Sequence, residues 1–365
     1  CQNAHRQAWD FDLPEYFRLF TMPLVSGPGY SIFMPIDESL SVQLGEKTLA
    51  PPIRYCPVRK SNCVFPLKEL SKDEAYVVSD FELAEELIAR GADSARIAIG
   101  PHDSTENQYL GYSQVEAGKQ LVPHSPFDFK QSIVIVLPTY NERANLEALV
   151  PAISQYLVTD ILIVDDNSPD GTGELADQFS GRHGHVHVLH RSKKEGLGPA
   201  YLAGFKWALQ RNYSLIIEMD CDFSHAPWDL PRLVHRSRTA DLVIGSRYVP
   251  GGGTENWNAS RRFVSRCGNT YASLFLGSTI HDWTGGFRCY RCELLTRMNL
   301  ATVRTKGYIF QVELAWRAVQ LGADVVELPI RFCDRIEGQS KLGWQSIAEA
   351  LIEVPKMYLL GLGGR

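Results

Sequence analysis

From Gln131 onward the chain alternates short apolar runs with amphipathic stretches. Ser132–Leu137 is an apolar run that stops at Pro138, as a buried parallel strand would. Leu146, Leu149, Val150 and Ile153 follow at helical spacing, and a second apolar run occupies Ile161–Val164. The alternation continues with a helix over Glu174–Phe179, a strand over Val186–Leu189, a helix over Pro199–Gln210, and strands at Leu215–Met219 and Leu242–Gly245. This order predicts an α/β fold whose mostly parallel sheet is covered by helices on both faces. Ligands of such sheets bind beyond the carboxyl ends of the strands.

Residues 1–130 read differently. Tyr76–Val78 is strand-like, Ser79 and Glu82 form a capping box, Leu83, Leu87 and Ile88 mark a helix ending at Gly91, and Ile97–Ile99 is strand-like again. Loops are expected at Pro51–Pro57 and Pro101–Gly111, and a linker at Tyr112–Lys130. The expected organisation is a separate small α/β segment at 1–127 without evident chemistry, a main domain at 128–350 and a short apolar tail at 351–365. The tail, Leu351–Leu360 with Trp344 and Tyr358 nearby, suits either a membrane interface or a core helix.

Composition narrows the class. A chain of 365 residues, 44% hydrophobic and 22% charged, is globular and excludes a disordered tail, a coiled coil or a collagen-like repeat. No window reaches the ~18 consecutive apolar residues of a membrane-spanning helix. No basic and apolar leader pattern follows Cys1, so no signal peptide is expected. The net charge of −5 weighs against general nucleic-acid binding. Residues 231–306, however, carry 12 Lys and Arg against 4 Asp and Glu, which fits an anionic ligand or a solvated basic face. Zinc would need Cys56 and Cys63 to join Cys289 and Cys292, and reduced thiols are the expected state of all eight cysteines.

The strand ends carry the chemistry. The first is followed by Pro138-Thr139-Tyr140-Asn141-Glu142, the second by Asp165-Asp166-Asn167-Ser168, and a later one by Asp220-Cys221-Asp222. Carboxylates gathered at one rim repel one another and need a cation or hydrogen-bond donors. A few hard oxygen ligands suit Mg²⁺ or Mn²⁺ shared with a diphosphate. Asn167–Asp170 also makes a good helix start. Other features take plain readings: His183, His185, His187 and His190 as polar positions of a partly exposed strand, and Gly251–Gly253 as a flexible loop. Lys193–Gly198 reads as a nucleotide contact or a surface turn.

Three runs, Val136–Glu142, Val164–Thr172 and Met219–His225, resemble family 2 glycosyltransferases, and within them the dolichol-phosphate (polyprenol-phosphate) mannose synthases. Gly245–Tyr248, Ser260–Arg262, Thr284–Arg288, Gly307–Gln311 and Asp334–Lys341 continue the likeness, which spans about residues 131–350 in order. The resemblance implies a GT-A fold and inverting transfer of mannose from GDP-mannose to a polyprenyl (dolichyl-type) monophosphate. It implies donor contacts at Pro138, Tyr140, Glu142, Val164, Asp165, Asp166, Asp220, Cys221, Asp222 and Arg247, and metal ligands at Asp220, Asp222 and Ser224. Some relatives carry Gln where Ser224 stands, and a hydroxyl is a weaker, shorter ligand. Arg261, Arg335 and Lys341 are implied at the acceptor phosphate, with Asp222, Arg247 and Arg335 carrying the chemistry. The family likeness further implies a peripheral protein on the cytoplasmic face of a membrane, with room for a membrane-anchoring partner protein and with no nucleic acid. A glucosyltransferase using UDP-glucose and an inactive lipid- or sugar-binding scaffold are the rival readings.

Overall fold

A computed structural model describes residues 127–333 apart from 278, 304, 306 and 308, and the helix 344–362 with side chains at 349–359. Seven short strands lie before residue 127. Of these, β1 (Gln43–Leu44) and β2 (Lys47–Thr48) pair antiparallel, and β3 (Ile53–Cys56), β4 (Ala75–Val78) and β5 (Ile97–Ile99) form a parallel sheet. The parallel β4–β5 pair matches the two strands read at Tyr76–Val78 and Ile97–Ile99, and the helix read between them lies outside the described residues. The stretch read as a linker contains a further antiparallel pair, β6 (Tyr112–Gln114) and β7 (Leu121–Pro123).

The main sheet has seven strands: β8 (Ile133–Thr139), β9 (Asp160–Asp165), β10 (Val186–His190), β11 (Leu215–Glu218), β12 (Leu242–Ser246), β14 (Arg288–Arg291) and β15 (Val325–Pro329). Their order is β10-β9-β8-β11-β14-β12-β15, with β14 antiparallel to both neighbours and the other pairs parallel. A two-stranded parallel ladder, β13 (Gly253–Glu255) with β16 (Arg331–Cys333), stands beside it. The glycine run read as a flexible loop is therefore partly pinned in β-structure. The helices are α1 (Arg143–Tyr156), α2 (Thr172–Arg182), α3 (Leu197–Leu209), α4 (Leu230–Arg236), α5 (Ala259–Leu276), α6 (Cys292–Arg297), α7 (Ile309–Gln320) and α8 (Trp344–Leu362).

The period-two pattern of β8 sorts the core into two layers. Ile133, Ile135 and Leu137 meet α1, α2 and α4 through Leu149, Ile153, Phe179 and Leu233. Val134 and Val136 face the opposite layer, with Tyr201, Phe205, Trp283 and Phe310. Both faces are fully covered, which is why the strand runs are continuous in apolar residues.

Strand β8 passes through Pro138 instead of stopping there. Val136 offers its carbonyl to Met219, so by strand alternation Pro138 turns its nitrogen to the same β11 side. The β11 pairing ends at Val136, and no ladder bond is lost by a residue without an N–H. Between β8 and β11 the strand order also reverses direction. That is the topological switch point, where a crevice opens at the carboxyl edge.

Close approach at the core makes one glycine decisive. A Cβ on Gly204 of α3 would stand 2.4 Å from Val136 Cγ1. Gly204→Ala should lower unfolding free energy by about 1–3 kcal/mol in urea titration. Combined with Val136→Ala, the loss should be smaller than the sum of the two single losses.

Candidate active site

The loops after β8 and β9 are stitched into one pad. Asn141 N–H donates to Ser168 Oγ (3.1 Å), Glu142 N–H to Thr172 Oγ1 (3.1 Å), and Arg143 Nη1 to the Gly171 carbonyl (2.7 Å). Asn141 and Asn167 each turn their loop with a positive φ of 59°, a conformation that Asn tolerates. Asp165 accepts from Ser168 Oγ (2.6 Å), Ser168 N–H (3.1 Å) and Thr139 Oγ1 (3.2 Å), which makes it the knot of the pad. Asp166 accepts from Arg191 Nη1 at 2.6 Å. Burial raises the Asp166 pKa, and the Arg191 guanidinium offsets only part of that rise. The Lys194 ammonium sits 3.7 Å above the Tyr140 ring, a cation–π contact that joins the loop before α3 to the pad.

At the end of β11 the Asp-x-Asp pair is framed from three sides. Tyr201 Oη donates to Asp220 Oδ1 (3.2 Å), and Asp220 N–H donates to His225 Nδ1 (3.0 Å). Burial and the neighbouring Asp220 carboxylate hold the Tyr201 hydroxyl well above its usual pKa, so it remains a donor. Ser224 donates twice to Asp222 Oδ1, from N–H at 3.0 Å and from Oγ at 2.5 Å. Between them Phe223 takes a positive φ of 58°, a strained geometry for a bulky residue that turns Ser224 back onto Asp222. Cys221 is buried in the apolar layer with its thiol pushed up by burial, so only its backbone faces the rim. Beneath the pair, burial pushes the Glu218 carboxyl up to about 8 despite Arg288 across the strand register.

Strand β12 is parallel in direction to β11, so Arg247 emerges at the same edge. It binds the buried Asp282 through Nε (2.7 Å) and Nη2 (2.6 Å), and Arg247 N–H donates to the same carboxylate (2.9 Å). Burial would raise the Asp282 pKa, but the adjoining Arg247 and Arg288 charges and the Arg247 hydrogen bonds lower it below the ordinary value. Tyr248, Trp257 and Phe332 surround the Arg247 guanidinium at 5.4–5.5 Å. Phe332 also meets His225, linking this cation to the Asp220 turn. Arg261 lies over Trp257 at 4.1 Å, on the first turn of α5, where Asn258 caps the helix.

Residues 134–298 match the family model described as "Glycosyl transferase family 2". Polyprenol monophosphomannose synthase of Mycolicibacterium smegmatis is 48% identical over 234 residues, covering 63% of this chain and 88% of that protein. The chain belongs to glycosyl transferase family 2. Undecaprenyl-phosphate mannosyltransferase of Micrococcus luteus is 45% identical over 225 residues, 61% of this chain and 93% of that protein. Among solved structures, glucosyl-3-phosphoglycerate synthase of Mycobacterium tuberculosis with Mn²⁺, UDP-glucose and phosphoglyceric acid has a TM-score of 0.45 at 20% identity, over 64% of this chain and 80% of that one.

In this family 2 glycosyltransferase, Pro138, Tyr140, Glu142, Val164, Asp165, Asp166, Asp220, Asp222 and Arg247 all stand at the carboxyl edge or just beneath it. Val164 is fully buried and presents its carbonyl, which accepts from Thr139 Oγ1. Arg335 and Lys341 lie outside the described residues. Sequence reading passed over Tyr201, Asp282 and Arg191, each of which holds a named site residue. Lys194 lies in the Lys193–Gly198 run read as a nucleotide contact or a surface turn, and His225 in the Met219–His225 motif, where it was given no role. Asp282 had a local signal: it lies two residues before the Thr284–Arg288 motif, in a segment otherwise poor in acids.

Removing one partner of the buried pair leaves the other charge stranded. Arg247→Ala should cost about 3–5 kcal/mol of stability. Denaturant unfolding checks this, and the double change Arg247→Ala/Asp282→Asn should recover part of the loss. A cost no larger than that of an exposed arginine would refute the pairing.

Proposed function

We propose that this enzyme transfers mannose from GDP-mannose to a polyprenyl monophosphate, giving polyprenyl-phosphate mannose and GDP with inversion at the anomeric carbon. The observation that carries the reading is the 48% identity to a polyprenol monophosphomannose synthase across 88% of that protein. The carboxylate pair at the switch point supports it.

The donor set at Asp220 and Asp222 fits a hard divalent cation. Among the described residues no cluster of three His, Cys, Asp or Glu side chains is suited to a metal. Two carboxylates that share the ion with substrate phosphates and water are the arrangement Mg²⁺ or Mn²⁺ favours. The Ser224 oxygen keeps lone pairs after donating to Asp222, so it can join the same shell. A divalent cation held by these residues would supply charge neutralisation for a departing diphosphate.

The protein groups do the rest. Tyr201 and Ser224 fix the Asp220 and Asp222 carboxylates before substrate arrives, which reduces reorganisation. Tyr140 with Lys194, and Asp166 with Arg191, offer an aromatic and polar wall for the nucleotide. Arg247, locked on Asp282, places a fixed cation at the neighbouring strand end. The acceptor phosphate is an anion near neutral pH and needs no strong general base, so one in-line displacement suffices. Arg261, Arg335 and Lys341 are proposed to hold that phosphate. A lipid acceptor makes the enzyme peripheral at a membrane, in accord with the absence of a membrane-crossing helix among the described residues. A membrane-anchoring partner and a cytoplasmic face remain part of this reading.

The test is transfer by the purified chain with Mn²⁺ and a short polyprenyl phosphate, offered GDP-mannose and UDP-glucose in parallel. Mannosyl product should dominate, and Asp222→Ala should lower turnover at least ~100-fold with the fold retained. Preferential glucosyl transfer would replace the donor assignment. Near-normal turnover of Asp222→Ala at saturating Mn²⁺ would remove the metal from it.

A further inference from the structure

The Arg247–Asp282 pair has an anchor of its own. Asp282 accepts from Arg247 Nε, Nη2 and N–H, and Thr284 Oγ1 stands 3.4 Å from Oδ1. These bonds fix the two side chains on each other. They do not by themselves fix the pair against the sheet.

Glu327 of β15 supplies that hold. Its Oε1 accepts from Asp282 N–H (2.8 Å) and its Oε2 from His281 N–H (2.8 Å). The His281 ring Nδ1 lies 2.8 Å from the same Oε2. Consecutive backbone N–H groups make a small anion-binding concavity, and here a carboxylate from a strand fills it. The Glu327 side chain is 7% exposed and the His281 ring 61% exposed, so the buried contact is carboxylate to backbone and the imidazole is its outer cover. From the other side α5 grips the same segment. Ser273 Oγ donates to the Ile280 carbonyl (3.4 Å), Trp283 N–H to Asn269 Oδ1 (2.7 Å) and Trp283 Nε1 to Ser273 Oγ (3.1 Å).

Strand register ties this clamp to the site. β12 and β15 pair parallel, with Ile244 opposite Glu327 and Ser246 opposite Pro329. Arg247 follows Ser246 directly, so the carboxylate that pins Asp282 and the strand end that carries Arg247 belong to one ladder. Glu327 also brings a second carboxylate close to that of Asp282, which like-charge repulsion disfavours. An uncharged side chain would fill the same space without that repulsion, but it could not grip two adjacent N–H groups.

We propose that Glu327 is a positioning residue for the donor diphosphate: it pins the 281–282 backbone to β15 and, through Asp282, sets where the Arg247 guanidinium stands. The inference rests on the reading that Arg247 meets that diphosphate.

Titration calorimetry of the full chain with GDP and with GMP, each in Mn²⁺, tests it. Glu327→Gln keeps the shape of the side chain but turns an amide N–H₂ toward one of the two backbone donors. GDP affinity should fall about 10-fold, because a displaced guanidinium loses a charge-assisted contact to the second phosphate. GMP affinity, which lacks that phosphate, should change by less than about twofold. A merely structural role would lower the folded fraction and leave the ratio of the two affinities where it is in the wild type. In the Arg247→Ala/Asp282→Asn background, where no guanidinium remains to be placed, adding Glu327→Gln should leave GDP affinity unchanged. His281→Ala keeps both backbone donors and should bind GDP as the wild type does. Glu327→Asp, which keeps the charge on a shorter arm, should fall between wild type and Glu327→Gln, and it carries the test if the glutamine variant does not fold. Equal losses for GDP and GMP, or the same loss with and without Arg247, would overturn the proposal. A wild type that binds UDP and not GDP would instead defeat the mannosyl donor reading, and the same comparison with UDP and UMP would then decide the role of Glu327.

Discussion

The carboxyl edge of the main sheet gathers Asp165, Asp166, Glu218, Asp220, Asp222 and Asp282, and their mutual repulsion sets the terms for everything around them. The protein answers each differently. Asp165 is consumed by hydroxyl and backbone donors, Asp166 by Arg191, and Asp282 by Arg247. Burial keeps Glu218 protonated into the neutral range. The Asp220 and Asp222 carboxylates accept from the Tyr201 hydroxyl and from Ser224 at the turn. Neutral donors fix geometry without cancelling charge.

This division explains why the loops look over-determined. Stitching the β8 and β9 loops through Asn141, Glu142 and Arg143 leaves little freedom at the Tyr140 side. On the other side, Thr284 Oγ1 accepts from Arg247 Nη2 (2.8 Å) and from Asn269 Nδ2 of α5 (3.3 Å), and Asn269 Oδ1 accepts from Trp283 N–H (2.7 Å). The Arg247 pair is therefore carried in part by α5. Pre-set geometry of this kind saves reorganisation when charge develops on a leaving group.

The sheet, its two-sided cover and the acidic strand ends were legible because they follow from periodicity and local chemistry. Continuous apolar runs, Ser132–Leu137 and Ile161–Val164, match the observed strands to within a residue or two. The passage of β8 through Pro138 was not legible, because it depends on where β11 stops. The antiparallel β14 was hidden for the same reason: Arg288–Arg291 is short and carries an arginine at each end. Of the site, the motif residues could be read but their holders could not. Tyr201 lies on a helix, 19 residues before Asp220, and Asp282 lies 35 residues after Arg247. Spacing along the chain carries no trace of such pairs.

The long reach of these pairs bears on how a soluble donor and a lipid acceptor could meet at one edge. The side of the edge that carries Tyr140, Asp165 and Asp220 is built from strands β8, β9 and β11, whose positions the two core layers fix. The opposite side is built from α5 and the segment that leads into it, with Trp257, Asn258 and Arg261 in sequence. Helix α5 is bonded through Asn269 to the loop beside Arg247, so the two sides of the edge share one frame.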